Sequence, residues 1–160
     1  MSDKFDSMDD FTKAFEAAVK SAEEANYTEA LDDCVGILQG FERDMFLRQA
    51  GPDNVGWAPL SMWTILRKGH ATKLVDTTRL FNSLTAPGTE DTIWMTGDTW
   101  LTFGTSVEYS HYHQYGTKDS SGQVRMPARP HVGVDLTTAG KIGQRLGDAV
   151  AQHLGEKLNG

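Results

Sequence analysis

Between Ser106 and Asp135 the chain reads SVEYSHYHQYGTKDSSGQVRMPARPHVGVD, a stretch that holds three of its five histidines. His111, His113 and His131 are side chains that bind zinc, and Glu108 or Asp119 would supply a carboxylate to complete a ligand set. A small metal-dependent enzyme using His111, His113 and His131 is therefore one reading of the stretch. The spacing lends it little support. Residues two apart share a face on a strand, but on a helix they point about 200° apart. There is no HExxH pair, no CxxC and no acidic calcium loop. Nucleophilic chemistry has less behind it still. No GxSxG elbow occurs, and no glycine-rich loop opens a helix as phosphate binding requires. The sequence thus nominates no catalytic residue, no cofactor site and no metal site.

The second reading is a surface built to meet another protein. Tyrosine, tryptophan and arginine most often anchor such surfaces, and Tyr109, Tyr112, Tyr115, Arg125 and Arg129 crowd together here. TKDSSGQV is a flexible, polar loop of the kind that orders on contact. In MPARPHVG, Pro127 and Pro130 stiffen an extended segment, and the following proline holds Arg129 out of the helical region. That arrangement offers a guanidinium fork to a partner carboxylate, with an intrachain bridge or solvent as the alternative.

The elements that must position these residues follow from periodicity. From Asp10 to Ala25, Phe11, Phe15, Ala18, Val19 and Ala22 recur at helical spacing behind the capping acids Asp9 and Asp10. The apolar stripe is thin. Residues 1-26 are therefore expected to form an acidic helical arm able to dock on a neighbour, and residues 27-160 a single α+β domain. A stronger helix runs from about Thr28 to Gln49, seamed by Leu31, Cys34, Val35, Leu38, Phe41 and Met45 and stopped by Gly51 and Pro52. In WAPLSMWTILRKG, Ser61 caps a short helix ending at Lys68, with Trp57, Leu60 and Trp63 beside it as core or contact residues.

TRLFNSLTAPG reads as a strand or a helix-to-strand transition closed by Pro87 and Gly88. DTIWMTGDTWLTFG carries two extended runs around Gly97 and Asp98, which predicts a tight hairpin. Ala139, Ile142, Leu146, Ala149, Val150 and Leu154 define a closing amphipathic helix from near Leu136 to about Lys157. Gly140, Gly143 and Gly147 flank its stripe, each costing about 0.5–1 kcal/mol relative to alanine. Either another backbone approaches closely there or the helix frays. The expected fold class is α+β: N-terminal helices, a small antiparallel β-sheet with a hairpin, and a C-terminal helix packing on the sheet.

A chain of 160 residues, 39% hydrophobic, suits one core of substantial size. The single Cys34 excludes an internal disulfide and, within a helical seam, reads as a small buried apolar side chain. MSDKFDSMDD shows neither a basic region nor an apolar run, so no secretory signal is expected. No stretch approaches the roughly 18 apolar residues of a membrane helix, so a soluble, cytosol-made protein is expected. Fifteen basic against 22 acidic residues give a net charge of -7. That balance argues against sequence-independent nucleic-acid binding and would suit a wall that DNA slides past.

Tyr109, His113, Gln114 and Gly116, then a polar loop, then Pro127, Ala128, Arg129, Pro130 and Gly133, resemble the paired signature of the phage virion-morphogenesis, or tail-completion, family of Mu-like phages. Trp57, Pro59 and Leu60 are similar to the family's W-x-P-L segment, and Leu74, Thr77, Leu80 and Ser83 to its L-x-x-T-G-x-L-x-x-S segment. Order and spacing agree from about residue 30 to 157, which leaves residues 1-26 outside the resemblance. Three positions depart from the pattern: Ser110 replaces an alanine, His131 a phenylalanine and Thr78 a glycine. The last removes a residue free to take positive φ, so the turn there is expected to differ.

The resemblance implies a structural protein of the virion, a tail-completion or neck protein at the head-tail junction, assembled in the host cytoplasm. It implies a homo-oligomeric ring, expected to be hexameric, through which genomic DNA passes without sequence-specific binding. The implied partners are neck or connector proteins and tail tube or terminator proteins, with no membrane, cofactor or reaction. A tail terminator capping the tail tube is the nearest alternative. A ring needs two different patches on each subunit. The Arg129 strand with its loop is the candidate for one, and the closing helix or N-terminal arm for the other. The interface or motif candidates are therefore Trp57, Pro59, Leu60, Tyr109, His113, Gln114, Gly116, Arg125, Pro127, Arg129 and Pro130. Of these, His113 and Gln114 are expected to hydrogen-bond the local backbone and hold the turn before Gly116.

Overall fold

The stripe from Phe11 to Ala22 forms α1 (Met8–Glu23) in a computed structural model that describes residues 8–159. Residues 1–7 of the expected arm lie outside the described residues. The seam of the second helix forms α2 (Thr28–Arg48), with Leu31, Cys34, Val35, Phe41 and Met45 buried and Leu38 half-buried. Its last turn is closed by Gln49 at φ 55°, a left-handed position from which the chain turns back. The predicted Ser61 cap is present in α3 (Met62–Lys68), where its Oγ accepts from the Thr64 N–H at 3.2 Å.

The TRLFNSLTAPG stretch folds as a helix, α4 (Arg79–Thr85), where a strand or transition was expected. Leu80, Ser83 and Leu84 stand three and four apart and are all buried, which a helix achieves and a strand does not. Thr78 before it sits at φ 62°, so the turn keeps the positive φ that glycine would take freely. The hairpin forms as expected from β1 (Thr92–Thr96) and β2 (Leu101–Thr105), antiparallel with Thr96 opposite Leu101. Its tip is pinned to the α1–α2 link, because Tyr27 N donates to Asp98 O at 2.7 Å and Asn26 Nδ2 to Asp98 Oδ1 at 2.8 Å.

The histidine-rich stretch becomes a short helix, α5 (Ser110–Tyr115), followed by β3 (Thr117–Lys118) and β4 (Val124–Met126). The polar loop between these strands is not waiting for a partner to shape it. Asp119 Oδ1 accepts from Ser121 N, Ser121 Oγ and Gln123 N at 2.9, 2.6 and 3.0 Å, and its other oxygen bridges Arg125 at 3.3 Å. The chain closes with α6 (Leu136–Asn159), which lies on α2 and α1. Arg145 Nε meets Asp33 Oδ2 at 2.8 Å, and His153 Nε2 meets Ser21 Oγ at 3.1 Å. The helix runs unbroken past Gly140, Gly143 and Gly147, and within the described residues no other part of the chain comes within 4 Å of where their side chains would start. Of the two alternatives, neither a close backbone approach nor a break in the helix is found among the described residues.

The result is an α+β fold centred on α2, which touches α6, α4 and the hairpin. Phe41, Met45 and Phe46 of α2 pack with Trp57, Leu80, Leu84 and Val107 to make the main core. Cys34 is buried, as its seam position predicts. Trp57 thus belongs to the core, whereas Trp63 is 83% exposed.

Candidate functional site

The two halves of the signature lie side by side, α5 against the extended segment 127–133. Pro127 and Pro130 lack an N–H, so this segment cannot complete a regular ladder, and its remaining backbone groups need other partners. Arg129 N donates to His113 O at 2.6 Å. Gln114 then acts as a strand would: its Oε1 accepts from His131 N and Val132 N at 2.9 and 3.1 Å, and its Nε2 donates to Val132 O at 3.0 Å. Gln114 therefore does bind backbone, but that of residues 131 and 132 rather than the turn before Gly116. His113 is a correction. Its ring stands edge-on to Tyr109 at 6.0 Å, and its Nδ1 is buried with no partner among the described residues. It contributes a carbonyl and a packing surface.

Gly116 lets the two halves meet. It sits at φ 71° and ψ 179°, a region open almost only to glycine. A Cβ there would lie 2.6 Å from Met126 O and 2.8 Å from Ala128 N, on the two sides of Pro127.

A third strut joins the upstream motif. Trp57 Nε1 donates to Pro130 O at 2.7 Å, and its indole meets Phe46 edge-on at 5.5 Å. Arg129 reaches back the same way, Nε to Ala58 O at 2.9 Å and Nη2 to Pro59 O at 3.0 Å. The arginine expected to present its fork outward is 4% exposed. Its fork satisfies two carbonyls of an irregular segment that have few other partners, and this is the reason it turns inward. Of the remaining candidates, Leu60 and Tyr109 are half-buried, Pro59 is exposed, and Arg125 stands on β4 in its bridge to Asp119.

The two departures Ser110 and His131 prove to be one feature. His131 is 0% exposed, its Nδ1 lies 3.1 Å from Arg129 O, and its Nε2 lies 2.9 Å from Ser110 Oγ. A carbonyl can only accept, so Nδ1 carries the proton and Nε2 accepts from the serine hydroxyl. Burial pushes this imidazole down to about 4, which keeps it neutral. A buried imidazole in place of phenylalanine needs two partners, and Ser110 in place of alanine is the second. In a cycle of Ser110→Ala and His131→Phe, each single change is expected to leave the other member of the pair unsatisfied, and the loss of the Arg129 O partner is common to His131→Phe and the double variant. The double variant should therefore be more stable than the sum of the singles by about 1 kcal/mol. Denaturant unfolding measures this, and additive effects would show that the pair is not coupled.

Glu42 was invisible as a special residue, although it falls in the α2 seam four residues after Leu38. It is 1% exposed, accepts from Gly133 N at 3.4 Å through Oε1, and among the described residues has no partner for Oε2. Burial pushes its carboxyl up to about 8 from an ordinary 4.5, against the opposing pull of the Gly133 bond. Because the folded carboxyl keeps its proton where the unfolded one has lost it, this stabilisation is full below pH 4.5 and lost as pH rises through 8. His131 acts in the opposite sense, full above 6.5 and lost as pH falls toward 4, so of the two only Glu42 works above 6.5. Stability is expected to decline from pH 6.5 to 8 by up to about 1.4 kcal/mol per unit, and Glu42→Gln should flatten the decline. Urea unfolding at the two pH values checks this, and an equal slope in the variant would remove Glu42 as the cause.

The three histidines do not converge on a common point. His111 is exposed, its ring tilted against that of Tyr112 with centroids 3.8 Å apart, and both nitrogens of His131 are engaged. Among the described residues no group of three His, Cys, Asp or Glu side chains is placed to hold a metal ion.

Fold and site together define a small α+β structural unit whose most distinctive residues bind its own backbone. The family model for phage virion morphogenesis proteins matches residues 6–154, and the chain belongs to that family. The match takes in most of the N-terminal segment that the motif resemblance left outside. No curated protein and no solved structure matches the chain. The protein is thus a phage structural and morphogenesis protein associated with the virion.

Proposed function

We propose that the protein is a ring-forming tail-completion or neck subunit at the head-tail junction, through whose lumen the genome passes. The family match over residues 6–154 carries this reading. The fold adds a constraint: with the signature residues engaged internally, the contacts between subunits fall to other surfaces. Large apolar side chains are exposed on three separate elements, Trp63 on α3, Tyr115 at the end of α5 and Leu136 at the start of α6. Separated patches suit the head-to-tail contact from which rings close. The net charge of -7 favours a lumen that does not hold DNA back. No reaction belongs to this role.

Light scattering of the full-length protein over a concentration series tests the proposal, followed by mixing with isolated tail tubes and neck proteins. A hexamer-sized particle, or a monomer that gathers at tube ends and also binds neck proteins, supports it. A strict monomer that binds neither refutes it, and binding to the tail tube alone would make the protein a terminator.

A further inference from the structure

A cavity of about 300 Å³ opens between α3, the segment before α4, and the side chains of Tyr109 and His113. Its wall carries Arg67, Lys68, Arg79 and Arg129 against a single acid, Asp76. In a chain of net charge -7 that is a local reversal of sign. Arg79 is neutralised, with Asp91 at 2.6 Å and Glu108 at 3.3 Å. Arg129 is not. It is 4% exposed, its fork is held by two neutral carbonyls, and among the described residues no carboxylate lies within bridging distance. Lys68 Nζ donates to a carbonyl, Thr72 O, at 2.8 Å, and His113 adds a buried Nδ1 without a partner among the described residues.

A buried cation without a counter-ion is costly, and its neighbours register the cost. Burial first, and then the charge of Arg129, lower the pKa of His113; at Lys68 burial lowers it first, Asp76 opposes, and the charges of Arg67 and then Arg129 lower it further. The fork of Arg129 is occupied, but its charge remains unanswered.

We propose that this cavity receives a carboxylate, carried by an acidic side chain of a partner protein. The nature of the carrier follows from α3, which supplies Arg67 and Lys68 to the wall and exposes Met62, Trp63 and Leu66 at 68%, 83% and 68%. Large apolar anchors beside a charged pocket are the makeup of a protein interface, in which the anchors exclude water and the ion pair strengthens as it dries. A nucleic-acid backbone would instead have to approach a chain of net charge -7. The cavity lies within one chain and does not depend on ring closure.

The test follows the His113 ring and Trp63 indole signals of the full-length protein by NMR at constant ionic strength. The probes are acetyl-Leu-Glu-Leu-amide, its Gln counterpart, inorganic phosphate and chloride. The glutamate peptide is expected to shift both residues saturably and to raise the His113 titration midpoint by about one unit, because an opposite charge now stands beside the ring. The Gln peptide should do neither. The variant Arg67→Glu, Lys68→Glu, altered on an exposed helix outside the main core, should melt like the parent and lose the response. Tighter binding of phosphate, equal shifts with chloride, or an unchanged response in the variant would overturn the proposal.

Discussion

Gly116→Ala is expected to lower stability by about 3–5 kcal/mol, the sum of a strained backbone and a forced separation of two segments. The residue lies at φ 71°, and its Cβ would stand 2.6 Å from one backbone oxygen and 2.8 Å from a backbone nitrogen. Neither atom is the end of a flexible side chain, so the whole 126–128 segment must move. That movement would pull Arg129 N from His113 O and loosen the bonds that Gln114 makes to residues 131 and 132. Gly122 provides the control, because it has φ 84° and open space around its Cβ. Gly122→Ala should show the conformational cost alone, on the order of 1 kcal/mol. Thermal and urea unfolding of both variants gives the comparison. Equal losses at the two positions would mean that the close approach at Gly116 contributes nothing.

Trp57→Ala is expected to cost about 3–5 kcal/mol, the usual range for deleting a buried aromatic. The indole fills the core beside Phe46, and its N–H is the partner of Pro130 O, so the change opens a cavity and orphans a carbonyl together. Trp57→Phe separates the two effects. It keeps much of the ring against Phe46 and removes the donor, so about 1–2 kcal/mol should be lost. If phenylalanine proved as damaging as alanine, the hydrogen bond and not the packing would be the main link between the upstream motif and the 127–133 segment.

These effects were only partly legible in advance. The helical seam of α2, the Ser61 cap, the hairpin and the closing helix follow from local periodicity, because residues three, four or two apart decide which face is apolar. The α4 stretch is too short for that signal to separate helix from strand, and its burial against α2 decided the matter. The signature residues were recognisable, but their direction was not. Arg129 turns inward because two carbonyls some seventy residues upstream lie within its reach, at 2.9 and 3.0 Å, and no local pattern encodes that distance.

The same holds for chemistry. Ser110 and His131 read singly as two mild departures, and only their approach to 2.9 Å makes them one buried pair. Glu42 stands in the seam by spacing, yet its proton at neutral pH depends on how completely Gly133 and the core cover it. By itself the sequence determined the α2 helix, the Ser61-capped helix, the hairpin, the closing helix, their order and the family to which the chain belongs. The tertiary structure alone decided which polar groups are buried, which partners they find and where an unanswered charge remains. The physical reason is that propensity and periodicity act over a few residues, whereas desolvation and hydrogen-bond satisfaction are settled by segments far apart in the chain.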